Sequence, residues 1–197
     1  PATLTCDLTE ITVVSSASQG ANFDYLWSSS NGGNIVSGET TLSPVINQPG
    51  IYTLTVTNTA NGCTNTAQTV VSQNIATPDA DAGQPYILDC FEALNYLDGS
   101  ASSANGPLSY DWSTQDGVLI AGATSANPSI AEPGTYVLIV TDLTNGCTDN
   151  DQVIITRDLP VVTPLANQPP CNGDKGSIVL SGVSGGESPY TYSINGG

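Results

Sequence analysis

A phrase of eighteen residues occurs twice in the chain, and it constrains the fold more than any other feature. Residues 50–67 read GIYTLTVTNTANGCTNTA and residues 134–151 read GTYVLIVTDLTNGCTDND, at an offset of 84 residues. Self-similarity at a fixed offset indicates repeated structural units. The sequence therefore predicts two homologous modules and a third, partial one, at residues 1–76, 77–160 and 161–197.

The repeated phrase has the alternating pattern of a β-strand. In the second copy, Tyr136, Leu138 and Val140 occupy every other position, which is typical of a strand with one face on a core. Pro-Gly before the tyrosine and Asn-Gly after the strand are turn signals. Short strands at intervals of about 8–12 residues, without a helical period, predict an all-β fold of tandem Ig-like β-sandwich modules with about seven strands each.

Each full module has a single tryptophan near its middle, with a tyrosine two residues before it. Trp27 lies in YLWSS and Trp112 in YDWST, where a central strand would pack the indole between two sheets. Tyr52 and Tyr136 occupy the position of a tyrosine corner near the start of the penultimate strand. We expect all four side chains to lie in the cores, and an aromatic platform that binds sugar is the alternative interpretation.

The charge of the chain argues against several classes of function. It has 18 acidic residues against Lys175 and Arg157, a formal net charge of -16, and no histidine. So few cations cannot neutralise many phosphates, which argues against binding to nucleic acid or to anionic membranes. Histidine is the commonest acid-base group and metal ligand, and no nucleophile-elbow, P-loop or dinucleotide-binding motif is present. We therefore expect no enzyme activity, and we expect no membrane insertion because no apolar run approaches the ~20 residues of a span.

Five cysteines in a chain rich in Thr, Ser, Asn and Gly suit an oxidising, extracellular setting. Their identical spacing allows one bond within each module, Cys6–Cys63 and Cys90–Cys147. The geometry of a sandwich favours Cys6–Cys147 across the joint between the modules, because the turn after the first strand and the last hairpin lie at opposite ends, roughly 25 Å apart. A disulfide requires Cα atoms within about 7 Å. Cys63, Cys90 and Cys171 would then pair outside these residues.

Carboxylates gather where one end of the second module is expected. In an Ig-like sandwich, the segment that leads into the domain and the last hairpin lie at the same end. Because Ca²⁺ prefers 6–8 oxygen ligands, the sequence predicts a calcium site at the joint, with a solvated acidic rim as the alternative. No other cofactor is expected. The residues concerned are Asp79, Asp81, Asp142, Asp149 and Asp151.

Several segments of the second module resemble a known group of repeats. ADAG, LDC, LDGSAS, YDWST, NPSI, PGTYVLIVTD and NGCTDND, in this order, are similar to the PKD-like and Ig-like tandem repeats of very large Bacteroidota surface adhesins. CNGDKGSIVLSGVSGGESPYTYSINGG resembles the opening half of the SprB repeat, named after the gliding-motility adhesin, and we expect a strand at its YTYS. The resemblance implies PKD-like or Ig-like sandwiches at the cell surface, export by the type IX route, and a role in adhesion and force transmission.

Three hypotheses of function follow. The first is a structural stalk or filament segment of a large secreted adhesin, for surface attachment or gliding motility, in which each module contacts its neighbours in the same chain. A distant tip of that protein would bind polysaccharide or a solid surface. The second is a set of carbohydrate-binding or spacer modules of a secreted polysaccharide-degrading enzyme. The third is a self-assembling extracellular fibre whose chains bundle.

Overall fold

The computed structural model describes residues 2–88, 94–167, 177–186 and 188–193, which form strands and loops and no helix. The strands of each full module form two sheets, so the predicted all-β, Ig-like sandwich fold is confirmed. Within these residues there is accordingly no helix of the length and apolarity that a membrane crossing needs.

Seven strands among the described residues build the first module. One sheet has the order β1-β7-β6-β3, with β1 parallel to β7 and the other pairs antiparallel, and the second sheet has the order β2-β5-β4. In chain order, the strands are β1 (Ala2–Leu4), β2 (Ile11–Thr12), β3 (Phe23–Ser30), β4 (Ile35–Ser37), β5 (Val45–Ile46), β6 (Gly50–Asn58) and β7 (Thr64–Gln73).

The second module repeats this arrangement. One of its sheets has the order β13-β12-β9 and the other β10-β11-β8. An isolated parallel bridge joins Ile87 to Thr156, at the place where β1 pairs with β7 in the first module. The strands are β8 (Asn95–Tyr96), β9 (Leu108–Thr114), β10 (Val118–Ala121), β11 (Ser129–Glu132), β12 (Gly134–Asp142) and β13 (Thr148–Ile155).

The direction of the first strand fixes which parts of the chain meet. Because β1 runs parallel to β7, the loop after β1 lies at the opposite end of the module from the β6–β7 hairpin. We call the hairpin end the leading end and the opposite end the trailing end. The leading end of the second module carries the β12–β13 hairpin.

Each full module has its own apolar core. Trp27 and Trp112 are 3% and 2% exposed, and each donates its indole N–H to a backbone carbonyl, that of Thr41 at 2.9 Å and that of Ser125 at 3.1 Å. Both indoles therefore face the interior. The buried sets are Leu4, Trp27, Ile46, Tyr52, Leu54 and Val71 in the first module, and Ala82, Leu88, Leu97, Trp112, Ile130, Tyr136, Leu138, Val140, Val153 and Ile155 in the second.

A buried tyrosine hydroxyl closes the turn before the penultimate strand in both modules. Tyr52 donates to the carbonyl of Gln48, four residues earlier, at 2.6 Å. Tyr136 donates to the carbonyl of Glu132 at 2.5 Å and accepts the N–H of Val118 at 3.1 Å. These are tyrosine corners, and burial raises the pKa of Tyr136.

The third module is described in part. β14 (Val161–Asn167) and β15 (Ser177–Ser184) form an antiparallel pair. The expected strand at YTYS is wrong: residues 190–193 form no strand. Tyr190 folds back onto its own loop, where its hydroxyl donates to the carbonyls of Gly185 and Gly186 at 3.0 and 3.2 Å. Cys90 and Cys171 lie outside the described residues.

Candidate functional site

A disulfide joins the two full modules. Cys6 and Cys147 are bonded, with their Cα atoms 5.1 Å apart and a sequence separation of 141. Cys6 follows β1 at the trailing end of the first module, and Cys147 lies in the β12–β13 hairpin at the leading end of the second. The bond therefore crosses the joint, and it leaves neither cysteine for a partner in its own module. Cys63, the equivalent of Cys147, is an exposed free thiol.

Asn145 lies beside this disulfide and is only 2% exposed. Its carbonyl accepts the N–H of Cys6 at 3.0 Å, and its side-chain oxygen accepts the N–H of Cys147 at 2.9 Å. Its side-chain nitrogen donates to the Ala76 carbonyl at 2.8 Å and to Asn74 Oδ1 at 3.2 Å. One residue thus ties the hairpin, the loop after β1 and the linker between the modules together.

Gly146 brings the hairpin close to the loop after β1. Its φ is 70°, a left-handed conformation that favours glycine. A Cβ atom here would also overlap the carboxylate of Asp7. A side chain at this position would therefore strain the backbone and require the exposed carboxylate of Asp7 to move.

The sequence pattern predicts only a turn at Asn145 and gives no sign that it contacts another module. What the sequence does show is that NGC recurs at the same place in both full modules. A turn accounts for that asparagine as long as each module is considered alone, because its side chain satisfies the backbone of its own hairpin.

Two of the aspartates assigned to a calcium site anchor the segment that leads into the second module. Asp149 Oδ2 accepts the N–H of Ala80 at 3.0 Å, and Asp151 Oδ2 accepts the N–H of Ala82 at 2.8 Å. Alternate residues of a strand point to the same face, so two carboxylates on β13 receive two alternate amides. They act here as a pair of backbone clamps.

The other three aspartates have separate local contacts. Asp142 is buried and accepts the N–H of Thr144 at 2.8 Å, Asp81 accepts the N–H of Gly83 at 2.8 Å, and Asp79 forms a backbone bridge. No group of three or more acidic or cysteine side chains in the described residues could hold a metal ion. Calcium binding stays a prediction, for which the measurement is a Ca²⁺ titration of the unfolding temperature with reversal by chelator.

No protein-family model matches the chain, and no curated protein matches its sequence. Solved structures do match it in shape. One contains the three N-terminal domains of the Highly Immunogenic Outer Capsid protein (Hoc) of bacteriophage RB49, at 15% identity over 95% of this chain and 67% of that chain, with a TM-score of 0.47.

The extracellular domains 3–5 of Drosophila OTK match at 12% identity over 80% of this chain, with a TM-score of 0.39. The immunoglobulin domains 1–5 of Sidekick-1 match at 15% identity over 84% of this chain, with a TM-score of 0.35. The chain spans 59% and 41% of those two structures. Likenesses this distant carry no argument about what the chain binds.

Proposed function

We propose that the chain is a structural segment of the stalk or filament of a large secreted cell-surface adhesin, used for surface attachment or gliding motility. The observation that supports the proposal is the Cys6–Cys147 bond, which joins tandem sandwiches end to end. Tandem modules build length because each contacts only its neighbours. A covalent joint adds resistance to separation under tension.

Tension applied to the two ends of the chain passes from Cys6 to Cys147 through this disulfide. Residues 7–146 lie inside the covalent loop that the bond closes, so they cannot be drawn out while the bond is intact. Fully extended, such a segment would measure roughly 450–500 Å at about 3.3–3.6 Å per residue. Shielding of this kind suits a spacer between a cell and a fixed surface.

The proposed location is extracellular, because disulfides form and persist in oxidising compartments. Gliding motility and export by the type IX route are the finer parts of the proposal, and the resemblance of sequence segments to surface adhesins supports them. The burial of Trp27 and Trp112 weighs against the sugar-binding alternative, since a sugar platform needs exposed aromatic faces.

Single-molecule pulling through the two termini tests the stalk proposal. We expect the oxidised protein to release no length from residues 7–146, whereas the Cys147→Ser variant releases both modules. Cys63→Ser is the matched control, because Cys63 is free, and it should behave as the parent protein does. If the oxidised parent releases the full length of both modules, the joint bears no load and the proposal fails.

A further inference from the structure

The β6–β7 hairpin of the first module repeats the hydrogen bonds of the β12–β13 hairpin. Gly62 donates its N–H to the Asn58 carbonyl at 2.7 Å, and Cys63 donates its N–H to Asn61 Oδ1 at 3.0 Å. The equivalent bonds in the second module measure 2.8 and 2.9 Å. The β6–β7 hairpin therefore has the same conformation as the β12–β13 hairpin, which contacts the first module.

The two hairpins differ in what lies against them. A Cβ atom at Gly146 would overlap Asp7 of the neighbouring module, whereas one at Gly62 would meet nothing within 4 Å. Within the described residues, the side-chain nitrogen of Asn61 has no hydrogen-bond partner, and the thiol of Cys63 is free and exposed. The first module thus presents the same hairpin, and in the part of the chain that the structure describes no neighbouring module lies against it at Gly62.

A groove of about 420 Å³ adjoins the Cys63 hairpin. Its apolar lining includes Phe23, Leu54 and Val56. In the second module, Ala80 and Ala82 occupy the equivalent place, with Ala82 buried in the core. The groove therefore lies where the second module holds an extended segment with two alanines at alternate positions.

We propose that the Cys63 hairpin and this groove, together the leading face, receive the trailing end of another module of the same type. The partner supplies a loop equivalent to residues 5–8, whose cysteine bonds to Cys63, and a linker equivalent to residues 74–83, which fills the groove. The proposed interface uses the same elements as the Cys6–Cys147 joint. The inference extends the proposed stalk, in which one type of joint recurs.

The covalent step is a thiol–disulfide exchange. Cys63 and the partner cysteine are oxidised to one disulfide, and a small disulfide such as oxidised glutathione is reduced to two thiols, which take up the two protons. The thiolate of one cysteine attacks the small disulfide, which releases one small thiol and leaves a mixed disulfide. The thiolate of the second cysteine then attacks the protein sulfur of the mixed disulfide and displaces the second small thiol. No metal or enzyme is needed to balance the reaction.

The leading face of the first module lacks the carboxylate clamps of the second. Asn65 and Ala67 stand where the second module has Asp149 and Asp151, and Asn65 Oδ1 accepts the N–H of its neighbour Thr66 at 2.9 Å. A docked linker is therefore held by apolar contact and by the disulfide. The variant Ala67→Asp should strengthen docking, because it restores one acceptor for a linker amide.

An extended protein tests the inference. Fusing a copy of residues 2–84 directly before Pro1 keeps the natural register, because Pro1 and Pro85 are offset by 84. In oxidised glutathione buffer, we expect the original Cys63 to lose its reaction with maleimide and to appear bonded to the added Cys6 in non-reducing peptide maps. The added copy's own Cys63 should stay reactive, as an internal reference.

Two variants of the extended protein separate the parts of the leading face. Replacing the original Cys63 by serine should leave the added Cys6 reactive. Placing arginine at the added linker's equivalent of Ala82 should slow bond formation several-fold by obstructing the groove, with folding checked by thermal unfolding. A reactive original Cys63 in a folded extended protein overturns the inference. Pulling on the unextended chain is independent of this result, so the stalk proposal and the inference can fail separately.

Discussion

Asn145 shows how a residue of a turn becomes a contact between modules. Its side-chain oxygen serves its own hairpin through the N–H of Cys147, as an asparagine does in many turns. Its side-chain nitrogen is then left to donate elsewhere, and it reaches the linker at Ala76 and Asn74. Removing this donor forfeits both hydrogen bonds, at a cost of about 0.5–1.5 kcal/mol for each one.

The first prediction compares Asn145→Ala with Asn61→Ala. Both variants remove the hydrogen bond to the hairpin cysteine, but only Asn145→Ala also releases the linker. We expect Asn145→Ala to lower the free energy of unfolding by about 1–2 kcal/mol more than Asn61→Ala, and to widen the range of orientations between the modules. Chemical denaturation and small-angle X-ray scattering measure the two effects. Equal losses in both variants would contradict a role for Asn145 in the joint.

The second prediction concerns the corner made by Tyr136. Tyr136→Phe leaves the Glu132 carbonyl and the Val118 N–H without their partner, so we expect a loss of about 1–3 kcal/mol in the free energy of unfolding. Tyr192→Phe is the control, because Tyr192 is 57% exposed, and it should change little.

The same variant has a distinct dependence on pH. Burial raises the pKa of Tyr136 above the ordinary tyrosine value near 10. The neutral phenol is favoured in the folded state, so its contribution is complete below that ordinary value and declines as the pH rises through the higher pKa of the folded protein. As the pH rises from the ordinary tyrosine pKa to the higher pKa of the folded protein, the free energy of unfolding should therefore fall less in Tyr136→Phe than in the parent. An unchanged alkaline slope would show that Tyr136 does not titrate on unfolding.

At the scale of single elements, long alternating strands were predictable and short ones were not. β6 and β12 have period two and turn signals at both ends, and the structure places them where the sequence does. β2, β5 and β8 have two residues each, too few for a period. The segment at YTYS alternates well, but no described strand beside it shares its hydrogen bonds, so pattern alone misleads there.

The acidic residues of β13 illustrate a further limit of pattern. Two carboxylates at a spacing of two lie on one face of a strand, and that arrangement suits either a cation or two backbone amides. The choice depends on where the preceding segment lies. In the structure, Ala80 and Ala82 lie opposite Asp149 and Asp151, a contact between residues 69 apart that no local pattern reveals.

The third prediction tests the clamp on β13. Asp151→Ala leaves the N–H of Ala82, a core residue, without an acceptor. We expect a loss of about 1–2 kcal/mol in the free energy of unfolding, together with faster hydrogen exchange at Ala82 measured by NMR. Asp111→Ala on β9, an exposed position, removes the same charge without a hydrogen bond and serves as the control. If both variants behave alike, the effect is one of charge alone.

At the scale of the whole molecule, strand direction decides the cysteine pairing. The sequence leaves two pairings open, and a bond across the joint requires a first strand that runs away from the leading end. β1 does run that way, parallel to β7. The contacts around the disulfide, such as the close approach of Gly146 to Asp7, were beyond prediction, because they depend on how closely two modules approach.

The fourth prediction compares Cys147→Ser with Cys63→Ser in calorimetry. Closing a loop of 141 residues lowers the entropy of the unfolded chain and stabilises the folded protein by up to about 5 kcal/mol in a chain-entropy model. We expect Cys147→Ser to lower the unfolding temperature and to separate the transitions of the two modules. Cys63→Ser should leave both unchanged. Coincident transitions in the parent and in Cys147→Ser would show that the bond does not couple the modules.

The parallel pairing of β1 with β7 also has a consequence for the order of events as the chain matures. Along the chain, Cys63 is much closer to Cys6 than Cys147 is. Once the first module has folded, the ten residues of β7 hold these two cysteines roughly 30 Å apart at about 3.3 Å per residue. Folding of the first module therefore excludes the Cys6–Cys63 bond, and Cys6 can reach Cys147 only when the last hairpin of the next module is in place.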